Sequence, residues 1–366
     1  LSERFPGHSI VISTSTDSGY DLAVHRFGRE RVFFCPLDFS WAVRRTLRHL
    51  RPELLLLAEL ELWPNLVRQA RKADVDVVVI NARLSDRSAR GYRRFAFLTE
   101  PIFRSLTRVE CQDDATAANF AACGTPPGRI AVSGSLKFDH APETRDGVEV
   151  QSRRRWAGID PWHVVWVVGS TGEGEEAMAL EFYDRLRSRH HELRLVLGPR
   201  HPERFDLVAR EIQTHGLVDH RRSRDPSLDD GTWESDRVIL VDTIGELRHW
   251  WGVGTLATVG GSFGDRGGQN MLEPAGYGSA VSFGPETRNF AEISQRLLDA
   301  VAAVRVQDAT ELQAFIERCL TDVPAADALG RAARQVVATH RGATDRTMLA
   351  IEQLLDPKAT AARKVA

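Results

Sequence analysis

Short apolar and β-branched runs alternate with amphipathic helical stretches along nearly the whole chain, which predicts parallel sheets built from β–α–β units. In the first half, strands are predicted at 8–15, 31–36, 53–59, 76–81, 108–112 and 129–134. A second series follows at 163–170, 193–198, 237–242, 255–261 and 280–284. Several, such as ELLLLAE and HVVWVVGS, are apolar almost throughout, as strands covered on both faces are. Residues 139–160 are polar and without a strand pattern, and mark the passage between domains. Segment 217–235 (LVDHRRSRDPSLDDGTWES) reads as a surface loop. Past Val306 the pattern is helical and ends in a basic tail. The expected fold is α/β, with two doubly wound, Rossmann-like parallel-sheet domains at 1–145 and 146–340, then 341–366.

Composition agrees with that size. With 366 residues, 42% hydrophobic and 27% charged, the chain can bury two cores. A formal net charge of −2 supplies no global field for nucleic acid, which is not expected as a partner, so any anionic partner is met by a local patch. Cys35, Cys111, Cys123 and Cys319 show no C-x-x-C or Cys/His spacing; they read as reduced thiols without a metal site, in a cytoplasmic setting. The longest apolar run, Leu54–Ala58, falls far short of the ~18 residues of a membrane span. The chain opens LSERFPGHSIVISTST, without Met or signal peptide and already in an interior-type strand, so an amino-terminal piece is expected to precede it.

Ligands of open α/β sheets bind beyond the carboxyl ends of the strands, so those positions carry the candidate chemistry. In the second domain they are Ser170 and Thr171; Pro199, Arg200 and His201; Ile244, Gly245 and Glu246; and Gly261 and Ser262, leading through GDRGGQ to Asn270, Met271, Leu272 and Glu273. Glycines let backbone N–H groups approach a phosphate, and a following helix start adds its dipole. Glu273 then either caps that helix or accepts from the two hydroxyls of a ribose. Arg200 is a fixed positive charge for a departing phosphate. Glu173, Glu175 and Glu176 would repel phosphate and read as the solvated first turn of a helix. No Walker loop or G-x-G-x-x-G fingerprint occurs.

In the first domain Glu59 and Glu61 end one strand, with Pro64 at a first helical position and Trp63 read as core. Arg83, Arg87, Arg90, Arg93 and Arg94 belong to a stretch with seven Arg against Asp86 and Glu100, suited to phosphate groups or an anionic lipid surface. Lys137 follows the last strand.

The motifs ELELWPNL, INARLSDRS, SGSLKFD, GSTGEGEE, GPRHPERF, DTIGEL and GGSF…RGGQNMLEPAGYG…FGPETRNF together resemble the 3-deoxy-D-manno-octulosonic acid (Kdo) transferases. The resemblance implies the glycosyltransferase B fold, two doubly wound domains facing a cleft. It implies inverting, metal-independent transfer of Kdo from CMP-Kdo to the lipid A precursor at the cytoplasmic face of the bacterial inner membrane, held peripherally or by an amino-terminal anchor. No cofactor beyond the donor is implied. It makes Pro199 and Arg200, Ile244–Glu246 and Asn270–Glu273 the CMP-binding segments. Glu61 and Lys137 fall where transition-state stabilisers are expected, with Glu59 as neighbour, and the final helices should return to the first domain. By the same resemblance the general base is a Glu in a short Ser/Val-rich motif after the family's very first strand, which is expected to precede Leu1, so no residue of this chain is assigned as the base. Gly172 and Gln269 stand where the family usually has His, Leu60 where it has Thr, and Met271 where it has Pro. Two other readings remain open: a UDP-sugar enzyme of the same fold, and a non-catalytic nucleotide-sugar-binding protein.

Overall fold

The structure is a computed structural model that describes residues 1–225, 227 and 236–356. The basic tail and most of 226–235 lie outside the described residues. The chain divides into two compact units, Leu1–Asp139 with the chain from His340, and His140–Thr339.

The first unit runs β1 (Ile12–Thr14), α1 (Asp17–Phe27), β2 (Val32–Phe34), α2 (Ser40–Leu50), β3 (Leu54–Ala58), α3 (Pro64–Lys72), β4 (Asp76–Ala82), α4 (Asp86–Arg94), α5 (Ala96–Ser105), β5 (Arg108–Cys111), α6 (Asp114–Ala122) and β6 (Ile130–Val132). Pairing is parallel throughout, but the six strands form two ladders, β1–β2 and β3–β4–β5–β6. Among the described residues no ladder joins β1 to β3, so Leu54–Leu56 of β3 remain only partly buried. Val77, Val79, Val109, Phe103 and Phe120 fill the core. Helix starts follow local chemistry: the Asp113 carboxylate accepts from Thr116 N–H at 2.7 Å to begin α6, and Pro64 occupies the first turn of α3, where a missing N–H costs nothing.

The second unit runs α7 (Val148–Trp156), β7 (Val164–Thr171), α8 (Glu175–Arg187), β8 (Leu193–Pro199), α9 (Phe205–Thr214), β9 (Val218–Arg221), β10 (Arg237–Leu240), α10 (Leu247–Val253), β11 (Leu256–Val259), α11 (Leu272–Gly276), β12 (Ala280–Phe283), α12 (Ala291–Asp299), β13 (Val304–Arg305), α13 (Ala309–Thr321) and α14 (Val323–Thr339). Its seven parallel strands are ordered β13-β12-β11-β7-β8-β10-β9. The winding reverses between β7 and β11, a topological switch point. Two expectations are corrected here. Val218–Arg221, read as loop, is an edge strand; its V-D-H-R alternation buries only His220 and so lacks the apolar run of an interior strand. The helix after Asn270 is a single short turn, Leu272–Gly276, so its dipole is small.

The first chain crossing lies at Asp139–His140 rather than after 145. Arg145 accounts for this: its buried guanidinium donates to the carbonyls of Tyr277 at 2.8 Å and Gly254 at 2.7 Å and to Ser279 Oγ at 3.1 Å, all within the second unit. Burial, helped by the nearby Arg154 charge and only partly opposed by Asp327, lowers its pKa to about 10. After the second crossing, α15 (Ala343–Leu355) packs with the first unit. Its N-cap, Gly342, has no side chain to satisfy the first N–H groups, and the Asp139 carboxylate does so instead, accepting from Gly342 at 2.7 Å and Thr344 at 2.5 Å. Burial pushes the Asp139 pKa up, and the hydrogen bonds from Thr344 and Gly342 outweigh it, leaving the group below the usual carboxylate range.

A buried carboxylate ties the switch point together. Glu175 and Glu176, expected in solvent, are 5% and 0% exposed; only Glu173 is exposed. One Glu175 oxygen accepts from Gly172 N–H and Gly261 N–H, each at 2.7 Å. The other accepts from Ser262 and Phe263 N–H, each at 3.1 Å. The loop after β11 is thereby held against the end of β7. Such close approach excludes a side chain at Gly260, where a Cβ would stand 2.6 Å from Glu175 Oε2 and 2.7 Å from Thr171 Cα. Glu176 accepts from Thr171 Oγ1 at 2.7 Å and pairs with Arg204 at 3.0 Å. Glu175→Gln turns an amide NH₂ toward backbone donors, and should cost about 3 kcal/mol in denaturant unfolding, whereas Glu173→Gln should be neutral. Equal effects of the two would contradict the buried assignment.

Candidate functional site

At the carboxyl edge of the second sheet, the chain rises from β7 through a bulge at Ser170, whose φ is 57°. The bulge turns Thr171 inward to Glu176. Arg200 follows β8, anchored by its N–H to the Thr171 carbonyl at 3.2 Å, with its side chain exposed. His201 is exposed and 3.9 Å from Glu203. Beyond β10 the turn is Thr243-Ile244-Gly245-Glu246, with Ile244 83% exposed and Gly245 at φ 84°. Glu246 is held by Arg222 at 2.8 Å, Arg153 at 3.0 Å and Thr243 Oγ1 at 3.0 Å. Burial raises its pKa and these partners bring it below the ordinary glutamate range.

After β11, Ser262 Oγ is committed to the fold, donating to Val259 O at 2.6 Å and accepting from Gly284 N–H at 2.8 Å. The backbone N–H groups of Gly261 and Ser262, expected to cradle a phosphate, are occupied by Glu175. Asn270 Oδ1 accepts from Leu272 N–H at 3.0 Å in the turn that leads into α11, whose N-cap, Met271, makes no side-chain cap bond. The side chains of Met271 and Leu272 are core, which leaves only their main chain to face a ligand. Glu273 is half-buried, and no hydrogen bond to its carboxylate is found among the described residues. Burial raises its pKa, against the opposing pull of the Arg248 and Arg200 guanidinium charges. Arg200 and Arg248 are exposed and have no acidic ion-pair partner at contact distance among the described residues.

The geometry thus brings together Arg200 and Glu273 from the sequence reading and adds Arg248, which no local signal distinguished from a solvated arginine. A carboxylate short of donors beside two cations short of acceptors suits a ligand that carries both hydroxyls and an oxyanion. Among the described residues, no three His, Cys, Asp or Glu side chains are grouped as a metal site.

At the edge of the first unit, Glu59 is exposed in a left-handed conformation, φ 59°, with its N–H on Ile80 O at 3.0 Å. Glu61 is exposed and accepts from Trp63 Nε1 at 2.8 Å. Trp63, read as core, is 45% exposed because its indole lies along this loop. Lys137 is exposed in a loop that Asn81 Oδ1 fixes through Leu136 N–H at 3.1 Å. Glu61 follows β3 and Lys137 follows β6, the outer strands of the four-stranded sheet. Three strand spacings, roughly 14 Å, separate those strands, so the two side chains share an edge without direct contact. The N-terminal N–H groups of α3 are taken by the Asp38 carboxylate, at 3.0 Å from Asn65 and 2.8 Å from Leu66. Arg83, Arg87, Arg90, Arg93 and Arg94 are all exposed on and before α4, whose one buried residue is Ala89. Exposed Phe95, Phe97 and Leu98 come directly after.

Among the described residues, no helix is long and apolar enough to cross a membrane.

A family model described as 3-deoxy-D-manno-octulosonic-acid transferase (kdotransferase) matches residues 1–140. A 3-deoxy-D-manno-octulosonic acid transferase of Bordetella pertussis is 35% identical, over 97% of this chain and 82% of that protein. The one from Haemophilus influenzae is 31% identical over the same shares, 97% and 82%. Among solved structures, a putative UDP-N-acetylglucosamine 2-epimerase of Listeria monocytogenes covers 97% of this chain and 91% of its own with a TM-score of 0.59. At 12% identity that likeness shows the shared glycosyltransferase B type fold alone. On the identities to the two transferases over nearly the whole chain, this protein belongs to the 3-deoxy-D-manno-octulosonic acid (Kdo) transferase family and is a glycosyltransferase.

Proposed function

We propose that the chain transfers Kdo from CMP-Kdo to a lipid A precursor at the cytoplasmic face of the inner membrane, with inversion and without a metal ion. Family membership supports the reaction, and a half-buried Glu273 without a hydrogen-bond donor among the described residues, within the electrostatic reach of exposed Arg200 and Arg248, is the observation that carries the donor site. Glu273 accepts from the ribose hydroxyls, Arg200 receives the departing cytidylate, and the exposed turn Ile244–Glu246 borders the nucleotide. The acceptor hydroxyl attacks the anomeric carbon while the phosphate leaves. Charge grows on that phosphate in an oxocarbenium-like transition state, so a guanidinium carried by the β8 loop stabilises the transition state more than the ground state. Glu61 and Lys137 act on the sugar and acceptor side, from the edge of the first unit.

The acceptor is anionic, and the exposed arginines of α4 supply the opposite charge. With Phe95, Phe97 and Leu98 alongside, the stretch has the composition of an interfacial surface, cations for phosphate groups and rings for the headgroup layer. Substituting Arg90, Arg93 and Arg94 with Gln should weaken binding to anionic liposomes by about 1 kcal/mol per charge and leave CMP affinity unchanged. Equal loss of both would contradict a separate lipid surface.

CMP should bind without added Mg²⁺, and more tightly than UDP. Arg200→Ala should weaken it roughly tenfold to a hundredfold, the loss of one charge-assisted hydrogen bond at about 1.5–3 kcal/mol. Strict Mg²⁺ dependence in calorimetry, or equal affinity for UDP, would contradict the reading. Glu273 adds a pH dependence. Its carboxylate must be ionised to accept from ribose, and its pKa is raised, so CMP affinity should fall on acidification at a higher pH than an ordinary glutamate would give. Glu273→Gln should remove that inflection while leaving the one from the phosphate monoester, near pH ~6. For unliganded protein the sign is opposite: a raised carboxyl pKa makes stability highest below the ordinary glutamate pKa and costs stability as pH rises through the folded value. Glu273→Gln should therefore stabilise the free protein at neutral pH while weakening CMP.

A further inference from the structure

The donor has at least one oxyanion to place, and the backbone cradle at the switch point is filled. With Gly172, Gly261, Ser262 and Phe263 N–H all directed at Glu175, an anion arriving between β7 and β11 meets no free N–H from these four residues. It meets instead the field of a buried carboxylate, which repels it. Something must reverse the sign of charge there.

Arg266 is placed to do so. It belongs to the loop after β11, and its side chain folds across the switch point onto the end of β7. A Cβ built on Gly172 would lie 3.5 Å from Arg266 Nε and 3.6 Å from its Cδ and Cζ. The guanidinium thus lies in the space that a longer side chain at Gly172 would fill. The loop that carries it is fixed on both sides. Asn289 Nδ2 donates to the Arg266 carbonyl at 2.8 Å, Asn289 N–H to Gly267 O at 2.9 Å, and Gly268 N–H to Gly261 O at 2.7 Å. Yet the side chain is exposed and has no acidic ion-pair partner at contact distance among the described residues; nearby Glu286 is paired with Arg288 at 3.4 Å. A held backbone with an uncommitted guanidinium lowers the ordering cost of a planar, bidentate contact.

We infer that Arg266 is an oxyanion-recognising residue of the donor site, binding the donor's phosphate or its sugar carboxylate across the β7–β11 switch point in place of the backbone cradle that Glu175 occupies. The assignment rests on the donor reading above. Its test uses calorimetry with cytidine, CMP and CMP-Kdo on wild type, Arg266→Gln and Arg266→Lys, with thermal melts confirming that each variant folds. Arg266→Gln should lose about tenfold in affinity for an anionic ligand and nothing for neutral cytidine, while Arg266→Lys, which keeps the charge without the fork, should lose less. Loss with CMP and CMP-Kdo alike assigns the phosphate; loss with CMP-Kdo alone assigns the carboxylate. Unchanged affinity for both anions, or an equal loss for cytidine, would overturn the inference. Wild-type protein that binds neither CMP nor CMP-Kdo would overturn the donor reading first.

Discussion

The four hydrogen bonds that Glu175 accepts set the geometry on which the rest of the second unit's edge depends. They bind the start of α8 to the loop after β11 across the switch point, where a dinucleotide fold would leave N–H groups open for phosphate. A buried charge is tolerable only with such saturation by donors. Glycine at 260 follows from it, because only a residue without Cβ lets the two strand ends approach this closely. The glycine-rich loop is therefore an internal anion site, already satisfied by Glu175, and in the proposed donor site charge recognition is assigned to side chains around it.

The side chains proposed for that role differ in chemistry. Arg200 rises from β8, and Arg248 lies in the first turn of α10. Glu273 lies within the electrostatic reach of both and is held above its usual pKa by burial. A carboxylate kept half-buried and short of donors costs stability in the free protein, the pattern expected where a site is shaped for a ligand rather than for its own rest state. Glu246 shows the contrast: an acid in a neighbouring loop, its pKa lowered by Arg222, Thr243 and Arg153, is satisfied by the fold itself. In the first unit, Glu61 and Lys137 reach the carboxyl edge from the two outermost strands of the sheet, which suits a substrate that spans the edge better than direct pairing of the two groups.

Much of this was legible in the sequence, for reasons that also show where legibility stops. Interior strands such as β7 and β8 are continuous apolar runs, and a both-faces-buried strand has little alternative reading. The edge strand β9 leaves no such signal because only one of its residues is buried, and β13 because two residues make no pattern. Glu173 and Glu175 stand two positions apart at the same helix start, and local rules treat them alike. What buries one and exposes the other is a loop some ninety residues away, at 260–263. Residue type alone makes Trp63 a core residue, yet its indole is turned toward the Glu61 carboxylate. Arg248 and Arg266 look like any solvated arginine until the fold shows which of their neighbours lack an acid.

The central claim is that cytidylate is held by guanidinium groups and Glu273 while Glu175 keeps the backbone cradle. A crystal structure of the protein with CMP tests it most directly. The account predicts phosphate oxygens within hydrogen-bond distance of Arg200 or Arg266, ribose hydroxyls on Glu273, and the Glu175 carboxylate still on the N–H groups of Gly261, Ser262 and Phe263. A phosphate seated on those N–H groups, with Glu175 displaced, would contradict it.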